Sequence, residues 1–248
     1  MRSVLEFIQY GHSRLRQNLA REPFASLIPP MDRAYEAAKT KIPVQPHVEV
    51  LRLFLLCHRS FLLASVLIAE GHPEDSAPVT RRAIEMARLA VAFMHDPKNV
   101  DRWTQEEARS SRWDARLAEI KPRRLQVKLE LPVDNKLLDT LGRWEGIYSD
   151  VGVHLTPEYL GSFPLECRVN EIFLSYFVND QDHLARLMRS CVATHLQILQ
   201  LFNEALGGVL QTSKEWCDAM NEVIQRGQGI DAETKADEMG TVVIPVKE

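Results

Sequence analysis

The sequence is short of the motifs that announce a chemistry. Its four cysteines, Cys57, Cys167, Cys191 and Cys217, are scattered with no C-x-x-C pair. Neither a zinc site nor a disulfide framework is suggested, and reduced thiols in a cytosolic chain are the simpler expectation. No G-x-x-x-x-G-K-[ST], G-x-G-x-x-G, G-x-S-x-G or H-E-x-x-H occurs, so the phosphate-cradling loops, the hydrolase elbow and the zinc-protease helix are excluded as written. No Glu stands three residues before a His, which removes the di-iron bundle motif. A net charge of −4 over 248 residues gives no global basic field to attract nucleic acid. A long uncharged apolar run is also missing. The longest in the most hydrophobic segment, Ser60 to Ala69, is about half of a membrane span, so a buried helix is expected there and no membrane association. The charges at Glu6, His12 and Arg14 interrupt what a signal peptide needs as an apolar core.

What is present is ordinary globular composition, 45% apolar and 26% charged, with enough chain to bury a core. The stretch Ser76–Met94 is apolar on nearly all sides. Val79, Ala83, Met86, Ala90 and Phe93 form one stripe, and Ile84, Ala87, Val91 and Met94 a second. Such a helix is normally enclosed by others. Its Arg81, Arg82, Glu85 and Arg88 must either emerge on one wet seam or form a buried ionic cluster. The expectation is that Arg82 and Glu85 meet His154, since a buried carboxylate needs partners.

Proline and glycine divide the remainder. Ser3 to Ala20 forms an amphipathic helix with Val4, Phe7, Ile8, Leu15 and Leu19 at helical spacing. Pro23, Pro29 and Pro30 are expected to break the pattern before a short helix from Met31 to Lys39, itself ended by Pro43 and Pro46. Val48 to Glu70 follows, stopped by Gly71-His72-Pro73. The central helix begins with Asp75 as its cap and Pro78 in its first turn. A polar helix over 100–120 and a linker containing Arg123-Arg124 lead to a helix capped by Asp134. Its stripe is Leu137, Leu141, Trp144, Tyr148 and Val151, with Gly142, Gly146 and Ser149 beside it. Those glycines are either a ridge for close helix approach or a plain weakness of the helix. Alternation in Leu165–Val169 and the β-branched run from Ile172 predict a hairpin around Asn170-Glu171. A long helix from Asn179/Asp180 stops at Gly207-Gly208, and a last one, with Thr212 and Glu215 as capping box, stops before Gly227. The predicted fold is all-α, a bundle of six or seven helices with a small inserted β-hairpin. Residues 1–46 are a helical extension, 47–227 the bundle and 228–248 a polar tail.

Basic residues recur at seven-residue intervals: Arg81, Arg88, His95, Arg102, Arg109, Arg116 and Arg123. Residues 81–128 hold 12 Lys and Arg against 7 Asp and Glu, a net of +5. This region offers a face for RNA or an acidic protein, with Arg102, Arg109 and Arg116 as binding residues. The alternative is a solvated face balanced by pairs such as Arg102–Glu106. Asp180-Gln-Asp-His183 is the one acid–His cluster. It stands at a helix start, where acids serve as caps, and no metal or cofactor is expected. His195 falls on the core stripe Leu184, Met188, Cys191, Ile198, Phe202 and is expected as a hydrogen-bonded structural residue.

The buried Leu/Phe-rich helix, Thr80-Arg-Arg-Ala-Ile-Glu85 on a central helix ending in His95-Asp-Pro97, and Tyr148-Ser149 shortly before His154 resemble a group of bacterial helical proteins placed near the HEPN (higher eukaryotes and prokaryotes nucleotide-binding) domains. The similarity covers roughly residues 48–206. It implies a helical bundle, an intracellular setting and a module acting through protein or RNA contacts, with a second copy of the chain also admitted as a partner. It further implies an alternative, a metal-independent ribonuclease of toxin or phage-defence type. In that case Arg82, Glu85 and His154 are the catalytic candidates, and Tyr148 and Ser149 bind. Catalytic members carry Arg followed a few residues later by His, the one stabilising phosphate charge and the other moving a proton. Arg52/His58, Arg88/His95 and Arg189/His195 have that spacing, and Leu53, Leu89 and Ser190 stand where a polar residue often follows the family's Arg.

Overall fold

The chain folds as an all-α protein in the computed structural model, which describes residues 3–42, 48–103, 132, 135–152, 165–168, 171–174 and 177–233, the stretches 150–152, 165–174 and 229–233 by their backbone alone. Helix α1 spans Val4–Leu19, α2 Phe24–Lys39, α3 Val48–Glu70 and α4 Pro73–His95. A short helical segment over 98–103 follows. Then come α5 (Lys136–Gly152), strands β1 (Leu165–Arg168) and β2 (Glu171–Leu174), α6 (Gln181–Ala205), a 3-10 turn at Val209–Thr212 and α7 (Lys214–Glu233). The strands pair antiparallel, Leu165 opposite Leu174 and Arg168 opposite Glu171.

The central element is the α3–α4 hairpin. Gly71 makes its turn at φ +96°, and a Cβ there would come within 2.9 Å of the Arg14 guanidinium and 3.1 Å of the Val178 carbonyl. Only glycine fits both conditions. The His72 N–H returns to the Leu67 carbonyl at 2.8 Å, closing α3 as a left-handed helix end does. Helix α4 then starts three residues earlier than expected: His72, not Asp75, is its cap and Pro73 its first residue, because proline's fixed φ suits the first helical position. Ala83, Ile84, Ala87, Ala90, Val91 and Phe93 are at most 2% exposed, so α4 is enclosed, as its two stripes require.

Helix α2 corrects the reading of the prolines. It runs from Phe24 through Pro29 and Pro30 to Lys39. Pro30 cannot donate to the Ser26 carbonyl one turn back. The Arg226 guanidinium from α7 donates to that carbonyl instead, at 3.3 Å. A neighbouring helix thus replaces the lost bond, and Phe24, Leu27, Met31, Ala34 and Tyr35 repay it by full burial. The stretch expected as an extension supplies α2 to the common core.

Three further starts and stops differ from expectation. Asn135 caps α5, its side-chain oxygen accepting from the N–H groups of Leu137 (2.9 Å) and Leu138 (3.1 Å); the expected cap Asp134 lies outside the described residues. Ser213, not Thr212, caps α7, accepting from the Trp216 N–H at 3.4 Å, while Thr212 bonds back to the Val209 carbonyl. Helix α7 also continues through Gly227 to Glu233. A glycine stops a helix only where the backbone turns left-handed. Gly207 (φ +67°) and Gly208 (φ +84°) do so and end α6, whereas Gly227 does not.

Candidate functional site

Neither Arg82 nor Glu85 is buried. Both are exposed, and Glu85 pairs with Arg81 one turn back at 2.8 Å. Of the two alternatives open for the central charges, Arg82 and Glu85 take the wet seam and not the buried cluster. Arg82 and Glu85 stand on the solvent side of α4, while Arg81 and Arg88 beside them are half-buried. His154 lies outside the described residues. Arg88 is held by Glu145 of α5, an ion pair that ties the two helices. Arg102 lies 3.8 Å from Asp96 and 3.3 Å from the Asn99 side chain. Each described arginine of the seven-residue ladder thus faces an acid, which suits a balanced, solvated face. Arg109, Arg116 and Arg123 are outside the described residues.

Tyr148 and Ser149 are half-buried on α5 and already hydrogen-bonded. The Tyr148 hydroxyl meets the Thr194 hydroxyl at 3.0 Å, and burial raises the phenol above its ordinary range. Ser149 donates to the Glu145 carbonyl at 2.8 Å. A Cβ on Gly142 or Gly146 would meet nothing within 4 Å, so these glycines form no close-approach ridge among the described residues. Asp180 accepts from the His183 N–H at 3.0 Å as the cap of α6, and that bond holds its carboxyl below the usual range. Among the described residues no group of three His, Cys, Asp or Glu is placed to hold a metal.

The structure brings together two histidines that the sequence left apart. His58 of α3 and His195 of α6 meet on Tyr35 of α2. The Tyr35 hydroxyl is 2.6 Å from His195 Nδ1, and its ring stacks on His58 at 4.7 Å and 6°. His58 donates Nε2–H to Asp32 at 2.7 Å, with Glu36 3.6 Å from its other nitrogen. Tyr35 and His195 are wholly buried. Burial, with the neighbouring His58, pushes His195 down to about 3, and burial alone carries Cys57 far above its ordinary value. His195 is thus a neutral imidazole whose Nε2 has no partner among the described residues. An enclosed neutral ring cannot touch a substrate, and it serves as a packing and polar-matching element, as its place on the core stripe predicts. Of the three Arg–His spacings, Arg52/His58 is split: Arg52 faces solvent beside Glu49 while His58 points inward. Asp32, Tyr35 and Glu36, at i, i+3 and i+4 on α2, fall within the helix predicted over Met31 to Lys39, but their meeting with His58 and His195, 26 and 160 positions on, leaves no local pattern.

The surface holds the other finding. Helix α3 buries Phe54, Cys57, Phe61, Ala64 and Ile68, yet Leu55, Leu56, Leu62, Leu63 and Val66 stay 36–44% exposed on its other side. By length and composition α3 is also the one described helix that could cross a membrane, half of its most apolar stretch being buried within the fold. Helix α1 divides its apolar stripe. Its inner side buries Gly11, Arg14 and Asn18 and half-buries Phe7 and Leu15, while Val4, Leu5, Ile8 and Leu19 stay outside. The cause is the end of α3, whose last carbonyls need donors. Asn18 donates to Ala69 at 2.7 Å and Arg14 to Glu70 at 3.0 Å, and Arg14 also reaches the Val178 carbonyl and the Asn179 side chain. No protein-family model matches the chain, nor does any curated protein or solved structure.

Proposed function

We propose that the chain is an intracellular HEPN-like helical module that acts by protein contact. The observation that carries this reading is the outward row of α3, five large apolar side chains 36–44% exposed on one helix face. Contiguous apolar surface of this kind marks interaction sites on soluble proteins. The apolar outer side of α1 adds to it. The inserted hairpin and the absence of membrane insertion belong to the same proposal. Half of α3's apolar stretch packs inside the fold, which supports reading α3 as a core helix.

RNA contact is the less favoured branch, because Arg81, Arg88 and Arg102 each have a carboxylate neighbour. Fluorescence anisotropy with a labelled single-stranded RNA at two salt concentrations tests the choice. The protein-contact reading expects a flat trace at both. Saturable binding that weakens with salt, as counterion release requires, overturns it. Incubation with total RNA, with and without EDTA, tests the ribonuclease alternative, and intact RNA is the expected result.

A further inference from the structure

The outward face of α3 has an order of its own. Arg52, Leu55, Leu56, Arg59, Leu62, Leu63 and Val66 lie within about 120° of arc at 100° per residue. The pattern is symmetric about Arg59, with Leu55 and Leu56 on one side and Leu62 and Leu63 on the other. Arg59 is exposed, and its guanidinium meets no carboxylate among the described residues. Arg52 is 71% exposed, and its contact with Glu49 is 3.9 Å long. The row is therefore apolar with two under-neutralised positive charges in it, and the acid beside Arg52, Glu49, lies at one edge.

That charge pattern selects the occupant. A second copy of the chain, laid antiparallel to match leucine with leucine, would set Arg59 against Arg59 on the two-fold axis. A parallel copy would set both Arg52 and Arg59 against their like. Neither arrangement brings a carboxylate to the middle of the row, and like charges in a desolvated interface oppose association. We infer that the α3 face docks an amphipathic helix of another protein that carries carboxylates seven residues apart within its apolar side. Seven residues span about 10.5 Å of helix, so such a pair meets Arg59 and Arg52 together while its leucine-type side chains cover Leu55, Leu56, Leu62 and Leu63. This is helix-on-helix recognition in which apolar area gives affinity and the charges give register. The inference rests on the protein-contact reading and names the partner's chemistry.

The test uses the full chain and three fluorescein-labelled synthetic helices of about fourteen residues. Each has leucines along one face and Glu, Gln or Lys at two positions seven apart on that face. Anisotropy is expected to show the Glu helix binding roughly tenfold tighter than the Gln helix, with the Lys helix weakest. In Arg59→Glu the order should reverse, and in the milder Arg59→Gln the Glu advantage should shrink. Both variants are checked for an unchanged urea midpoint. Equal binding of Glu and Gln helices overturns the inference and leaves the protein-contact reading standing. Failure of all three to saturate overturns both. Binding to phosphatidylcholine/phosphatidylglycerol vesicles without binding to any helix overturns the inference in favour of an anionic bilayer. A dimer seen by sedimentation velocity that Leu63→Lys dissociates overturns it in favour of a second copy.

Discussion

Tyr35 is the residue on which the polar part of the core depends. Its hydroxyl meets His195 at 2.6 Å, and its ring covers His58. Tyr35→Phe removes one oxygen and opens no cavity, but it leaves both nitrogens of a buried imidazole unmatched. The expected loss is about 1–3 kcal/mol, measured as a shift of the urea midpoint at constant slope. His195 also fixes a pH dependence. Burial lowers it in the folded chain from an ordinary 6.5 to about 3, so below 6.5 the unfolded chain takes up a proton that the folded one refuses. Stability present above pH 6.5 should therefore fall as pH drops from 6.5 towards 3. Urea titrations at pH 7.5 and pH 5 check the direction, and His195→Phe should flatten the slope. His195 as a core residue was legible from its stripe. Its tie to Tyr35 was not, because hydrogen bonds between residues 160 positions apart leave no local pattern.

At the scale of the element, the reading succeeded where burial decides and failed where a distant group intervenes. Helices α3 and α4 follow from apolar spacing and from glycine and proline at their junction. Helix α2 was truncated because the rule that proline ends a helix omits the possibility that Arg226, some two hundred positions on, satisfies the freed carbonyl. Helix α1 was legible as a helix, but not the polar part of its inner side, since apolar periodicity does not reveal that the end of α3 demands donors such as Arg14 and Asn18. The glycines of α5 yield a prediction of their own. With nothing within 4 Å of a Cβ at Gly142 or Gly146, alanine at each adds helix propensity without a clash. Gly142→Ala and Gly146→Ala should each stabilise by about 1 kcal/mol, read as a higher thermal midpoint. A loss at either position would mean that another segment packs there.

Across the whole molecule, the fold class was legible and the functional surface was not. Apolar spacing states how much of a helix is hydrophobic, and α3 has more of it than its core contacts use. It does not state which part stays outside, because that is set by how many neighbours α1, α2, α4 and α6 can place around one cylinder. The catalytic candidates were chosen by resemblance, and of these the structure sets Arg82 and Glu85 on solvent and pairs Glu85 with Arg81. The account rests instead on the apolar row of α3 being open to solvent and available to a partner. Maleimide labelling of Leu63→Cys tests it most directly, in a Cys167→Ser/Cys217→Ser background where the native thiols Cys57 and Cys191 are buried. The account predicts labelling within about tenfold of a free thiol and slowing when the Glu helix is added. Labelling of Leu63→Cys as slow as that of Cys57 would contradict it.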